Sequence, residues 1–298
     1  MRVVRAFSPA GLSGFFATNI VEGDLLHTGA IGGGITLEKG VYVTVKAEPS
    51  EKNSIVTLLD GKVADMYVAK RVAEQILELT EECFSLVIDQ KIEVPIGGGL
   101  GTSGASAIAT ALAVAKALNV PITYYRAAQI AHVAEILSGT GLGTVSGLVV
   151  GGLVLVVKPG APGYDKVERI IVDSNLDVII CFFSPVAKER VLKGKDINRI
   201  NEIGKRVLNK ILEDPTPETF MSCCLEFARN SNLISKRVLK CVNLALKLGA
   251  IGASQTMIGD AVFALADRDL SEEIIDAFRK MGGIVLASRI SWAPARLI

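Results

Sequence analysis

Residues 95–106 read PIGGGLGTSGAS, with five glycines between Gly97 and Gly104. Glycines that dense let a backbone turn tightly or let a ligand approach it closely. The flanks say where the turn sits. Phe84–Val94 places Phe84, Leu86 and Ile88 on one face and reads as a strand. After the glycines, alanine fills every odd position from 105 to 117. A period of two favours a strand, but the stretch is too long for one and alanine is the strongest helix former. Ser103–Leu118 is therefore predicted as a helix, closed by Asn119 and Pro121. A strand, a glycine loop and a helix N-terminus in that order form a natural seat for a small anion.

The rest of the chain must pack around this unit. Upstream, Arg2–Phe7, Ile35–Lys46 and Ser54–Leu59 read as strands, and Ala64–Leu79 carries Val68, Val72, Ile76 and Leu79 at helical spacing. Downstream, Thr123–Leu137 reads as a helix, GTGLGTVSGLVVGG (139–152) as a second glycine-rich segment, and Leu153–Val157 as a strand. Strands follow at Val167–Val172 and Val178–Phe183. Helices come next at Asp196–Leu212, Pro217–Ala228, Ser235–Leu248 and Ser271–Met281, then a strand at Ile284–Arg289. The change of character near residue 170 predicts two packed α+β lobes, 1–170 and 171–298, with no flexible linker between them.

Composition narrows the function classes. Half of the 298 residues are hydrophobic and 21% are charged, enough for a sizeable core. Lys and Arg total 32 against 31 Asp and Glu, without a basic stripe, so nucleic acid is not an expected partner. The apolar run Gly147–Val157 is broken by glycines and falls short of the ~18–20 residues that span a bilayer. MRVVRAFSPAG has no apolar signal core, so a cytoplasmic protein without membrane attachment is expected. Five cysteines at irregular spacing read as reduced thiols, and two histidines leave little for a zinc site.

Three glycine-loop templates compete. Gly99, Gly101 and Gly104 match Gly-x-Gly-x-x-Gly, but residues 119–126 lack the acidic residue that holds a ribose. The Walker pattern runs from Gly99 to Gly104 and fails at Ala105, where its lysine belongs. The third template is Pro-x-x-x-Gly-Leu-Gly-Ser-Ser-Ala, matched at Pro95, Gly99, Leu100, Gly101 and Ser103. On these residues the chain resembles the GHMP family of small-molecule kinases. The resemblance extends to Ser8-Pro9-Ala10-Gly11 after the first strand and to GASQTMIGDAVFAL (252–265). SPAGLSGFF, EILSGTGLGTVSG and SQTMIGDAVFAL together resemble the archaeal branch that phosphorylates pantoate on the route to coenzyme A.

The resemblance implies a two-lobed α+β fold, with a ribosomal-protein-like nucleotide-binding first lobe and a ferredoxin-like second lobe. It implies ATP and Mg²⁺, with the phosphates on Pro95, Gly97, Gly98, Gly99, Leu100, Gly101, Thr102, Ser103, Gly104 and Ala105. Ser103 and Glu135 would hold the metal. His132, one helical turn before Glu135, would contact the substrate or orient that carboxylate. Ser13, the backbone around Gly14 and a loop GAIGGG (29–34) are candidates for pantoate, and Arg5, Lys158 or Arg289 for its carboxylate. A homodimer is a further implication.

Two positions depart from the family pattern. Many members carry an aspartate where this chain has Thr144, and threonine is no base near neutral pH. Gly11 stands where the pantoate branch usually has histidine. The residues therefore leave open a kinase for another small alcohol, such as mevalonate or homoserine, and a non-catalytic binder of nucleotide or metabolite.

Overall fold

A computed structural model describes residues 1–186 and 194–298. The first two strands are far longer than their β-branched segments predict. β1 (Arg2–Asn19) and β2 (Gly29–Pro49) pair antiparallel along their whole length, from Arg2 opposite Ala47 to Asn19 opposite Gly29. GAIGGG is thus strand rather than loop. Its glycines read as loop-forming, but here they let β1 and β2 approach: a β-carbon on Gly34 would stand 2.3 Å from the Leu12 carbonyl oxygen. The register shifts between Ser13 and Phe15, so β1 bends at that point.

β5 (Phe84–Ile92) pairs with the far half of β2, β3 (Ser54–Leu59) runs parallel to β5, and β4 (Lys62–Val63) ends that side. β6 (Leu153–Lys158) pairs with Gly32–Ile35 of β2, and β7 (Lys166–Ile170) pairs with β6. Three helices cover the sheet: α1 (Tyr67–Leu77), α2 (Thr102–Ala117) and α3 (Tyr124–Leu137). α1 buries Val68, Val72 and Ile76 as its spacing predicts. α2 touches β1, β2, α1 and α3, and is buried on nearly every side. Only small side chains allow neighbours so close all round, which explains its alanines.

The second lobe holds β8 (Leu176–Ser184), β9 (Gly252–Gln255), β10 (Asp260–Asp267) and β11 (Ile284–Arg289), ordered β11-β8-β10-β9 and antiparallel throughout. β9 and β10 form a hairpin inside the segment 252–265. A short α4 (Thr144–Leu148) belongs to the first lobe. The second carries α5 (Ile197–Glu213), α6 (Pro217–Asn230), α7 (Lys236–Lys247) and α8 (Arg268–Lys280). Asp196, Thr216 and Ser235 each cap the helix they precede. Apart from the extra helices between β8 and β9, this is the ferredoxin-like strand path.

The lobes share a core. Phe15 and Phe16 of β1 stack on Phe227 of α6, with ring centroids 6.3 and 5.5 Å apart. Beyond β11 the chain returns to the first lobe. The Thr36 hydroxyl donates to the Ser291 carbonyl at 2.7 Å, Ala295 N–H donates to the Leu148 carbonyl at 3.0 Å, and β12 (Arg296–Leu297) pairs with Ala6 and Phe7. The two sheets thus lie on either side of residue 170 along the chain, while this tail crosses back to the first. All five cysteines are free, and four are buried.

Candidate active site

A cavity of about 470 Å³ opens between the lobes. Its wall comprises residues 11–13 of β1, 30–36 of β2, 97 and 99–103 of the glycine loop, 138–144, and Met257 and Ile258 from the second lobe.

The loop is shaped by glycines that only glycine serves well. Gly99 and Gly101 have φ of +72° and +61°, the left-handed region that costs other residues about 1–2 kcal/mol. Gly101 is the N-cap of α2. No side chain caps the helix there, and its first turn holds no acidic residue. The opening turn of this 16-residue helix, with Thr102 and Ser103 on the cavity wall, thus turns its partial positive charge to the cavity without a capping side chain. Both lobes pin the loop: Thr256 Oγ1 donates to the Gly98 carbonyl at 2.7 Å, and Gly11 N–H donates to the Leu100 carbonyl at 3.2 Å. Met257 N–H donates to the Ser13 carbonyl at 2.8 Å. The three motifs singled out in the sequence therefore meet at one place.

Of the predicted phosphate-loop residues, Gly97, Gly99, Leu100, Gly101, Thr102 and Ser103 line the cavity. Pro95, Gly98, Gly104 and Ala105 stand behind them. Gly98 packs on Phe182, and Ala105 N–H closes the first turn on the Gly101 carbonyl.

Glu135, on α3, is 2% exposed. Its Oε1 accepts from the Thr140 hydroxyl, and Thr140 N–H donates to its backbone carbonyl at 3.0 Å. Its Oε2 lies 2.2 Å from where a β-carbon on Gly141 would stand, and 3.3 Å from one on Gly104. Thr144 reaches the same Gly104 position with Cγ2 at 2.9 Å, and itself lines the cavity. Glu135, Thr144 and the first turn of α2, where Ser103 sits, are thus brought together. These donors suit a hard cation. Magnesium takes one or two carboxylates and completes its shell with phosphate oxygens and water. The glycines at 104 and 141 leave the carboxylate the room it occupies, and no group of three or more His, Cys, Asp or Glu forms a metal cluster among the described residues.

Other expectations are corrected. His132 is 1% exposed and absent from the cavity wall; its Nε2–H donates to the Thr28 carbonyl at 2.9 Å. Burial holds its pKa below the ordinary value of 6.5. Its ring points into protein, whereas Glu135, also behind the wall, sets its carboxylate against Thr140 and Gly141, which line the cavity. Gly14 is also off the wall, because a β-carbon there would meet Cys224 Sγ at 2.2 Å. Its neighbour Ser13 does line the cavity. Arg5, Lys158 and Arg289 are exposed elsewhere, Arg289 paired with Glu38 at 3.1 Å. No charged side chain lines the cavity among the described residues. Thr140 and Thr256, which fix Glu135 and the loop, went unread because a lone threonine in a glycine run carries no periodic signal.

The GHMP kinases N terminal domain matches residues 67–152, and the GHMP kinases C terminal domain matches 210–284. The chain belongs to the GHMP kinase family. The glycine loop of this GHMP kinase falls within the first match, and the β9–β10 hairpin that pins it within the second. Pantoate kinase of Methanocaldococcus jannaschii is 33% identical over 276 residues, spanning 92% of this chain and 96% of that protein. Pantoate kinase of Thermococcus kodakarensis is 28% identical, over 91% and 90%. A solved structure described as a phosphotransferase related to the CoA biosynthesis pathway superposes with a TM-score of 0.91 at 26% identity, covering 100% of this chain and 99% of its own.

Proposed function

We propose that this protein transfers the terminal phosphoryl group of ATP to the terminal hydroxyl of pantoate, giving 4-phosphopantoate on a cytoplasmic route to coenzyme A. The observation that carries the reading is relatedness to a pantoate kinase over almost its full length, with the phosphate loop inside the matched region.

Phosphoryl transfer is mostly positioning and charge neutralisation. The N–H groups of the loop residues on the cavity wall, Gly97 and Gly99–Ser103, hold the ATP phosphates at the start of α2. Ser103 and Glu135 would hold magnesium, whose charge would offset that of the phosphates. Thr140 keeps the Glu135 carboxylate turned toward α2. Ser13 and the β2 glycines border the end of the cavity left for the acceptor. The acceptor oxygen bonds to the γ-phosphorus as the bond to ADP breaks. Thr144 hydrogen-bonds and orients that hydroxyl without taking its proton, which passes to an oxygen of the transferred phosphoryl group as the loose transition state collapses.

The test is ADP release from purified protein with ATP, Mg²⁺ and a panel of alcohols that includes D-pantoate, mevalonate and homoserine. Turnover with pantoate alone is expected. Turnover with another alcohol replaces the substrate. Tight ATP binding without turnover on any alcohol makes Thr144 the mark of a non-catalytic binder.

A further inference from the structure

The hairpin from β9 to β10 turns through Thr256, Met257, Ile258 and Gly259, and Gly259 N–H donates to the Thr256 carbonyl at 3.3 Å. Ile258 is the third residue of that turn and has φ of +64°. A type II turn puts glycine or asparagine at this place, and a β-branched side chain there is strained. The other described non-glycine residues with left-handed φ are Asp60, Asn119 and Asn232, whose types tolerate it. The turn does contain a glycine, one position later, but a different demand fixes it. A β-carbon on Gly259 would stand 2.3 Å from the Gly98 carbonyl oxygen. Strain of this kind persists only where the surroundings hold it, and it gathers at ligand sites. Here the turn is held on two sides, by Thr256 Oγ1 on the Gly98 carbonyl at 2.7 Å and by Met257 N–H on the Ser13 carbonyl at 2.8 Å.

Those two bonds also say where Ile258 sits: between Ser13, at the acceptor end of the cavity, and the glycine loop that takes the phosphates. Its partly buried side chain packs against the core shared by the lobes, and the residue lines the cavity. Val154 and Val156, which pair with Gly34 and Gly32, extend the apolar wall at the acceptor end. A group at this junction meets the acceptor next to its reacting hydroxyl. Pantoate carries two methyl groups there, on the carbon adjoining the one that bears the hydroxyl. We infer that Ile258 is a specificity-determining residue: its side chain, held in a strained turn, gives apolar contact to a branched carbon beside the reacting hydroxyl. The inference rests on the pantoate reading above. Turn closure alone does not call for isoleucine, since glycine or asparagine closes such a turn without the strain. Apolar contact on the scale of one carbon separates substrates by about 10–200-fold.

The test measures kcat/KM of the full chain for D-pantoate and for the unbranched dihydroxybutyrate that lacks its two methyl groups. Wild type is compared with Ile258→Asn and Ile258→Val. Asparagine suits the left-handed turn, so the first variant should fold. Wild type should favour pantoate. Ile258→Asn should cut that preference at least about tenfold, chiefly through the KM for pantoate, and Ile258→Val should keep most of it. Equal losses on both acceptors in Ile258→Asn overturn the inference, because a turn that only holds the loop treats them alike. So does a preference that is absent from wild type or unchanged in the variant, whatever the melting temperature does. If Ile258→Asn does not fold, Ile258→Gly carries the same comparison. Failure of both to fold marks Ile258 as core packing and overturns the inference. A wild type without turnover on pantoate is a failure of the functional reading, and the inference falls with it; the other outcomes overturn the inference alone, in an active enzyme.

Discussion

Thr144 rests on Gly104: its Cγ2 lies 2.9 Å and its Cβ 3.1 Å from where a β-carbon on Gly104 would stand. The helix start and the second glycine-rich segment touch there with no room for a methyl group. Gly104→Ala should therefore push α4 and the Glu135 carboxylate away from α2. Alanine's helix propensity gains up to ~1 kcal/mol, against an overpacking cost of about 1–3 kcal/mol. Lower kcat with a modest fall in melting temperature is expected, read by steady-state kinetics and calorimetry.

Thr144→Asp restores the residue type many family members carry, but here it sets a second carboxylate beside Glu135. Like charges in a buried site disfavour each other until a cation bridges them. The variant should melt a few degrees below wild type in EDTA. It should recover on adding Mg²⁺, by more than wild type gains. Melting curves with and without the metal check this, and equal responses would argue against a cation between these groups.

Ser103→Ala removes one hydroxyl from the cavity wall and places a better helix former in the first turn of α2. The fold should be unharmed. Turnover should fall at least about a hundredfold, as when one transition-state ligand is lost from a preorganised site. Unchanged turnover would take Ser103 out of the metal site.

Gly99→Ala combines a left-handed φ of +72° with a β-carbon 2.7 Å from the Met257 carbonyl oxygen. The loop would have to leave the second lobe to accept it. ATP affinity should drop by at least about tenfold, that is ~1.4 kcal/mol, in isothermal titration.

His132 makes stability depend on pH. Its folded pKa lies below 6.5, so between the folded and unfolded values the unfolded chain binds more protons. Its contribution is complete above about pH 6.5 and is lost as pH falls toward the folded value. Asp165, whose pKa is raised, works in the opposite sense in the acid range above its ordinary 3.8. Urea unfolding from pH 7.5 to 5.5 should show stability falling with pH, and His132→Gln should flatten that slope.

What the sequence disclosed follows from periodicity. Val68, Val72 and Ile76 announce α1, and the alanines of 105–117 announce a helix packed on all sides, because those patterns have one geometric solution. The phosphate loop was legible because its glycine order is set by backbone torsion and by the helix it opens. The length of β1 and β2 was hidden, since glycines and small residues at 8–14 and 29–34 mimic a loop until a partner strand is beside them. α4 was hidden inside GLGTVSG for the same reason. His132 was misplaced because helical spacing gives a shared face but not what that face meets.

The pairing of β12 with β1 bears on how the molecule is made. Ala6 and Phe7 are flanked by Arg296–Leu297, a strand translated long after them. At ~5–20 residues per second, that edge waits on the order of tens of seconds for its partner. Thr36 likewise waits for Ser291. The first lobe thus reaches its final form only after the second has been translated, and contacts of such long separation make for slow folding. A fragment ending near residue 170 would keep its glycine loop and lose the clasp on its first strand.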